Sequence, residues 1–220
     1  MTARSSRRRL AALGVLILAS VFSVSLVVLR FALSGTGNYA NLVWNLVLAW
    51  VPFVFAVVAY DRHRRGSRGL SIALPLALWL VFLPNAPYLV TEFMLLRDVH
   101  DMPVWFDTAM LVSFAWTGLL LGFVSVYLVQ ELVRRVAGPT AGWLCALGSF
   151  GLCGVGVYLG RYLRWNSWDV FVQPAGVLHD VSARLGSPRL VGMSLLIATF
   201  LTIAYTMLYA VLHAAAEDSL

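Results

Sequence analysis

Long apolar runs recur six times along the chain, each close to the 20 or so residues that the hydrocarbon core of a bilayer requires. Leu10–Leu29 carries no charge, and Leu42–Tyr60 is interrupted by Asn45 and Pro52. A third run starts near Gly69 and meets Pro84 and Pro87, and Phe106–Val129, Thr140–Leu159 and Leu190–Leu212 follow. The pattern predicts an all-α polytopic bundle of six transmembrane spans, because a helix satisfies its own backbone groups in lipid. The alternating segments of about ten residues that mark a membrane β-barrel do not occur. Residues 10–212 read as one transmembrane domain between a basic N-terminus (1–9) and a short tail (213–220).

Two short stretches break the apolar pattern near membrane level: FLPNAPYLVTEF at Phe82–Phe93 and GRYLRWNSWD at Gly160–Asp169. Polar and ionisable groups at that depth are costly and need partners or a function. In the first stretch Pro84 and Pro87 lack a backbone donor, and each disfavours helical geometry in the residue before it. The third span is therefore expected to break there, with Asn85 placed to satisfy a freed carbonyl. If the chain resumes as helix, Tyr88 and Glu92 lie one turn apart on the same face. A broken helix lining a polar cavity is a recurring device in transporters; a kink capped by Asn85 needs no function at all.

In the second stretch, helical spacing would put Arg161, Arg164 and Trp168 on one stripe and Trp165 and Asp169 on another, with Asn166 nearby. An aromatic belt with snorkelling Arg accounts for the Trp and Tyr residues. It does not require two Arg, an Asn and an Asp within nine residues. Guanidinium groups suit bidentate capture of carboxylate or phosphate, and Glu92, Asp107 or Asp169 could supply that carboxylate from within the chain. Asp107 stands near the start of the fourth span, where it favourably faces the helix dipole, so capping competes with a site role. Asp98, His100 and Asp101 form a polar loop tip. Glu92, His100 and Asp101 match no specific metal-binding spacing, and neither a metal nor a cofactor is expected.

Composition agrees with a membrane protein: hydrophobic residues make up 60% and charged residues 12%, with a mean hydropathy of +0.83. All 16 basic residues are Arg. Ten of them (Arg4, Arg7–Arg9, Arg62, Arg64, Arg65, Arg68, Arg134, Arg135) fall on one predicted side of the membrane. Arg30, Arg97, Arg161, Arg164, Arg184 and Arg189 fall on the other. The positive-inside rule then puts both termini in the cytoplasm and both polar stretches on the outer side. The net charge of +6 follows from these topology determinants, and no nucleic-acid module accompanies it. The first apolar run is longer than a signal-peptide core and lacks an A-x-A site after it, so it reads as an uncleaved anchor. Cys145 and Cys153 sit eight residues apart in the fifth span, too far to bridge along one helix. Gly118/Gly122 and Gly156/Gly160 are spaced for close helix approach, expected within the monomer.

FLPNAPYLVTEF, the WFD at Trp105–Asp107 and GRYLRWNSWD resemble the signature segments of an uncharacterised bacterial membrane family, domain of unknown function 1361, from about the second span to the sixth. Glu92 stands where members often carry Asp, which leaves the carboxylate in place. The resemblance implies a bacterial integral membrane protein, with the plasma membrane as its expected location. It carries no established activity.

Three function classes fit these residues. The first is a site at the outer face that binds or transports a small polar or anionic solute or a lipid head group. Its candidates are Asn85, Tyr88, Glu92, Asp107, Arg161, Arg164, Asn166, Trp168 and Asp169, with the lipid bilayer and that ligand as partners. The second is a membrane scaffold whose polar stretches are ion-pair locks. The third, ranked last, is a membrane enzyme on a lipid or envelope substrate, with Glu92 or Asp107 as acid or base. All three share one expectation, that Glu92 or Asp107 lies beside Arg161 or Arg164.

Overall fold

The computed structural model describes residues 3–97 and 101–217, with side chains described for 10–97 and 101–214. Every regular element among them is helical. The long helices are α1 (Ala3–Ser34), α2 (Ala40–Arg64), α3 (Leu70–Phe82), α5 (Val104–Ala137), α6 (Pro139–Tyr162) and α9 (Pro188–Glu217). Between α3 and α5 lie the single turn α4 (Asn85–Tyr88) and a 3₁₀ segment, Leu89–Arg97. Short α7 (Asp169–Val172) and α8 (Pro174–Arg184) link α6 to α9. Six helical segments are long and apolar enough to cross a membrane, with α3, α4 and the 3₁₀ segment together forming the third. The chain is an all-α integral membrane protein.

Helix α5 is the centre of the bundle, and two-thirds of its most apolar window is buried inside the protein. α1, α2, α4, α6 and the 3₁₀ segment all pack on it, α3 leans on α2, and α9 on α6. α1 and α9 stand at the periphery with apolar side chains such as Leu18, Phe22, Leu196 and Ile203 facing outward, as lipid-facing helices do. Inside, Leu83, Leu89, Met110, Phe114 and Leu121 form fully buried contacts. Cys153 is buried among the core residues and Cys145 is half-buried.

The third span is interrupted at the prolines as expected, although the residue before them stays helical. Leu83, directly before Pro84, keeps right-handed helical angles (φ −55°, ψ −38°) instead of swinging to an extended conformation. The chain therefore does not turn away at the prolines; its hydrogen bonds are renumbered. Leu83 N still donates to Trp79 O at 2.8 Å, but Ala86 N now donates to Leu83 O, three residues back. Phe82 O loses its helical donor, and the Asn85 amide supplies one at 2.9 Å. After Tyr88 the backbone stays in the tighter 3₁₀ winding through Arg97, far longer than the usual three or four residues.

Two glycine pairs make room for this turn. A Cβ on Gly118 of α5 would sit 2.6 Å from Ala86 O, and one on Gly122 would sit 3.0 Å from Ala86 Cβ. On the other side, a Cβ on Gly156 of α6 would come within 2.4 Å of Pro84, and one on Gly160 within 3.1 Å of the Tyr88 ring. The small-residue spacing thus serves packing inside the monomer. The irregular backbone lies buried against neighbouring helices, the setting in which membrane proteins tolerate it.

Candidate functional site

The NAPY turn and the end of α6 enclose a polar cavity of about 520 Å³ at the end of the bundle where α1, α3 and α6 finish. Asn85 and Tyr88 line it from the turn, Asn45 from α2, and Arg161, Arg164, Asn166 and Ser167 from the α6 end and the following loop. Asn85 ties the two conspicuous polar stretches together directly: besides capping Phe82 O, its amide donates to Ser167 Oγ at 2.8 Å.

Glu92 forms the buried flank of this site. Its side chain is only 1% exposed, and three donors converge on it: Asn45 Nδ2 at 3.0 Å, Asn41 Nδ2 at 3.5 Å and Arg161 Nη1 at 3.5 Å. Asn41 and Asn45 are one helical turn apart on α2, so both reach the same carboxylate. Arg161 also lies near the Tyr88 ring, with its guanidinium carbon 6.0 Å from the centroid. One cation therefore bridges Tyr88 of α4 and Glu92 of the 3₁₀ segment. A carboxylate so surrounded is a structural counter-charge as much as a reactive group.

The loop after α6 overturns the helical spacing assumed for Arg161, Arg164 and Trp168. α6 ends at Tyr162, and Arg164 adopts φ 59°, which makes it the non-glycine residue in the left-handed region among those described. That conformation costs an L-residue roughly 1–2 kcal/mol and swings the chain out of the helical path. Arg164 is exposed and lines the cavity without a hydrogen bond or ion pair from the described residues. Asn166 and Asp169 close a tight turn: Asn166 N donates to Asp169 Oδ2 at 2.7 Å and Asp169 N to Asn166 O at 3.0 Å. Trp168 precedes α7 and, like Asp169, lies outside the cavity lining. Trp165 faces the cavity, and its indole N–H donates to Asp180 of α8 at 2.8 Å. That bond and the Arg184 guanidinium hold the Asp180 carboxyl below its usual range.

Asp107 belongs to a different cluster, and it does not cap α5. Pro103 occupies the N-cap position, while Asp107 is 1% exposed and accepts from Arg30 Nε at 2.8 Å and Nη2 at 3.3 Å. Arg30, also 1% exposed, is therefore no solvated topology charge but the buried partner that fastens α1 to α5. Its remaining donors reach Thr36 and Ser34, and its guanidinium carbon sits 4.5 Å from the Tyr39 ring centroid. Burial, with the negative charge of Asp107, pushes the Tyr39 hydroxyl up to about 12. Asp101 accepts from Thr36 and Asn38 and so ties the loop before α5 to the α1–α2 connection. Asp98 and His100 lie outside the described residues.

Asn41, Asn45, Ser167 and Arg30 are the participants that spacing along the chain did not single out. The available signal was Asn41 and Asn45 at i, i+4 within one span, since two amides on one face of a membrane helix require a polar partner. For Arg30, the signal was a lone guanidinium against an apolar run with only one candidate carboxylate opposite the N-terminal end of the fourth span.

No curated protein and no solved structure matches the chain. A family model does: the one described as protein of unknown function (DUF1361) matches residues 44–204, a range that contains the NAPY turn, Glu92 and the whole Arg161–Asp169 segment. On that match, which spans most of the sequence, the chain belongs to the DUF1361 family.

Proposed function

We propose that this protein binds a small anionic ligand, through an oxyanion group, in the cavity between the NAPY turn and the α6 end. The observation that carries this reading is Arg164. A guanidinium without a partner among the described residues lines a concave polar site on a backbone held in the left-handed region. Arg161 stands beside it and is only partly committed to Glu92, at 3.5 Å. Two guanidinium groups, with the Tyr88 hydroxyl and the Asn166 amide, offer donors from several directions, as oxyanion recognition requires. Following the arginine distribution, the mouth faces the extracytoplasmic side.

A second reading applies to one part of the site. Glu92 is fully supplied with donors, which favours a role as a lock between the 3₁₀ segment, α2 and α6 rather than as an acid or base. On this assignment Arg161 both locks and binds, Glu92 locks, and Arg164 binds.

Arg164→Gly separates binding from folding, because glycine accepts the left-handed backbone without strain. In purified detergent-solubilised protein, millimolar phosphate should raise the thermal midpoint of the parent. A ligand at 100 times its Kd contributes about 2.7 kcal/mol. Arg164→Gly should fold with equal yield and lose that rise. Equal phosphate shifts in both proteins would refute the anion site.

A further inference from the structure

The cavity is open on one side in a way that says how its ligand arrives. α2 and α6 both pack on the NAPY turn and on α5, yet they barely touch each other. The turn is thus the floor of a cleft between two membrane-spanning helices. Polar groups concentrate toward the bundle end, at Arg161, Arg164 and Asn166. The wall changes character on the lipid side and with depth. Trp44 lines the cavity while 55% exposed, and Leu48 follows one turn deeper on the same face of α2. Across the cleft, Gly156 of α6 lines the cavity with Pro84 packed against it. A water-borne solute needs only the polar end; an apolar wall of Trp44 and Leu48 beside it serves a molecule that has an apolar part.

We infer that the ligand is a phosphate-bearing amphiphile which enters sideways from the bilayer. Its head group lies between Arg161, Arg164 and the Tyr88 hydroxyl, and an acyl chain runs from the cavity along Trp44 and Leu48 of α2. This rests on the anion-site reading and adds the ligand class and the route. The segment beyond the cavity fits such a position: Phe171, Val172 and Leu178 of α7 and α8 are exposed apolar residues. They suit a segment lying in the interfacial layer, with Trp165 joining it to the cavity wall through Asp180.

The test compares one head group with and without acyl chains. The purified full-length protein is equilibrated with phosphatidate in phosphatidylcholine nanodiscs, or with glycerol 3-phosphate in phosphatidylcholine nanodiscs. Retained ligand is then counted by native mass spectrometry for the parent, Arg164→Gly and Leu48→Gln. The expected result is stoichiometric retention of phosphatidate at least about tenfold above glycerol 3-phosphate, as loss of the buried acyl contribution predicts. Arg164→Gly should reduce that retention about tenfold, the weight of one charge-assisted contact. Leu48→Gln should weaken phosphatidate and leave glycerol 3-phosphate unchanged. If glycerol 3-phosphate binds as tightly as phosphatidate, and both depend on Arg164, the lateral route is refuted while the anion site stands. If phosphatidate is retained equally by Arg164→Gly, it is boundary lipid and the inference falls. If neither probe is retained, the anion site falls with it.

Discussion

Replacing Asp107 by Asn gives the clearest test of what holds the first helix to the bundle. Arg30 and Asp107 are each 1% exposed and joined by two hydrogen bonds, from Nε at 2.8 Å and Nη2 at 3.3 Å. The remaining Arg30 nitrogen, Nη1, reaches, among the described residues, the neutral hydroxyls of Thr36 and Ser34. Asp107→Asn keeps the shape but leaves the guanidinium buried without a counter-charge, which costs about 3–5 kcal/mol. Arg30→Met leaves the carboxylate in the same position and should cost a similar amount. The double variant Arg30→Met/Asp107→Leu removes both charges. Because the desolvation of two ions disappears with their attraction, it should recover most of the loss. The measurement is a double-mutant cycle on purified protein in one detergent, by thermal or SDS-induced unfolding, and the expected coupling is at least about 2 kcal/mol. Strict additivity of the two single changes, or an Asp107→Asn cost below about 0.5 kcal/mol, would refute a charged buried pair.

Three further outcomes follow from the site. Arg161→Ala should cost about 3–5 kcal/mol, because it strips the counter-charge from a carboxylate that is 1% exposed. Arg164→Ala should stay within about 1 kcal/mol, and the two unfolding midpoints check that contrast. Gly156→Ala should destabilise by about 1–3 kcal/mol, since its Cβ would stand 2.4 Å from Pro84. Gly151→Ala on the same helix meets nothing within 4 Å and should be neutral or stabilising, so in the same unfolding assay only Gly156→Ala should lower the midpoint. The Trp165–Asp180 bond should respond to acid in one direction. Asp180 is held below its ordinary value of 3.8 in the folded protein, so its contribution is complete above that value and fades as pH falls below it. The Trp165 indole N–H resonance, assigned by Trp165→Phe, should shift there and stay constant between pH 5 and 8.

Much of this was readable from residue order. Six apolar runs gave six spans because the bilayer imposes length directly, and the cost of leaving a charge alone pointed to a carboxylate beside Arg161 or Arg164, with Glu92, Asp107 and Asp169 all open as its source. What order could not convey was direction. Helical spacing put Arg161, Arg164 and Trp168 together, but one residue in the left-handed region at Arg164 ended the register. Asp107 looked like a cap because a cap is local, whereas its true partner is Arg30, 77 residues away. Arg30 itself was counted with the solvated topology charges, since nothing in a linear pattern distinguishes a guanidinium in water from one turned inward.

The prolines show how one local irregularity sets both the lock and the cavity. A regular helix through residues 82–92 would place Tyr88 and Glu92 100° per residue apart in phase, nearly in line. The 3₁₀ winding after Tyr88 adds about 20° for each residue, so that over four residues Glu92 rotates by about 80° relative to Tyr88. Tyr88 then remains on the cavity wall, and Glu92 turns toward Asn41 and Asn45 of α2. Arg161 can reach both because Gly160, beside it, lets α6 approach the Tyr88 ring. Restoring regular helix should therefore disrupt lock and cavity together. Pro87→Ala, which returns the missing donor to the turn, is expected to lower stability despite adding a hydrogen bond. An unfolding midpoint above the parent's would show that the prolines merely tolerate the turn and do not set it.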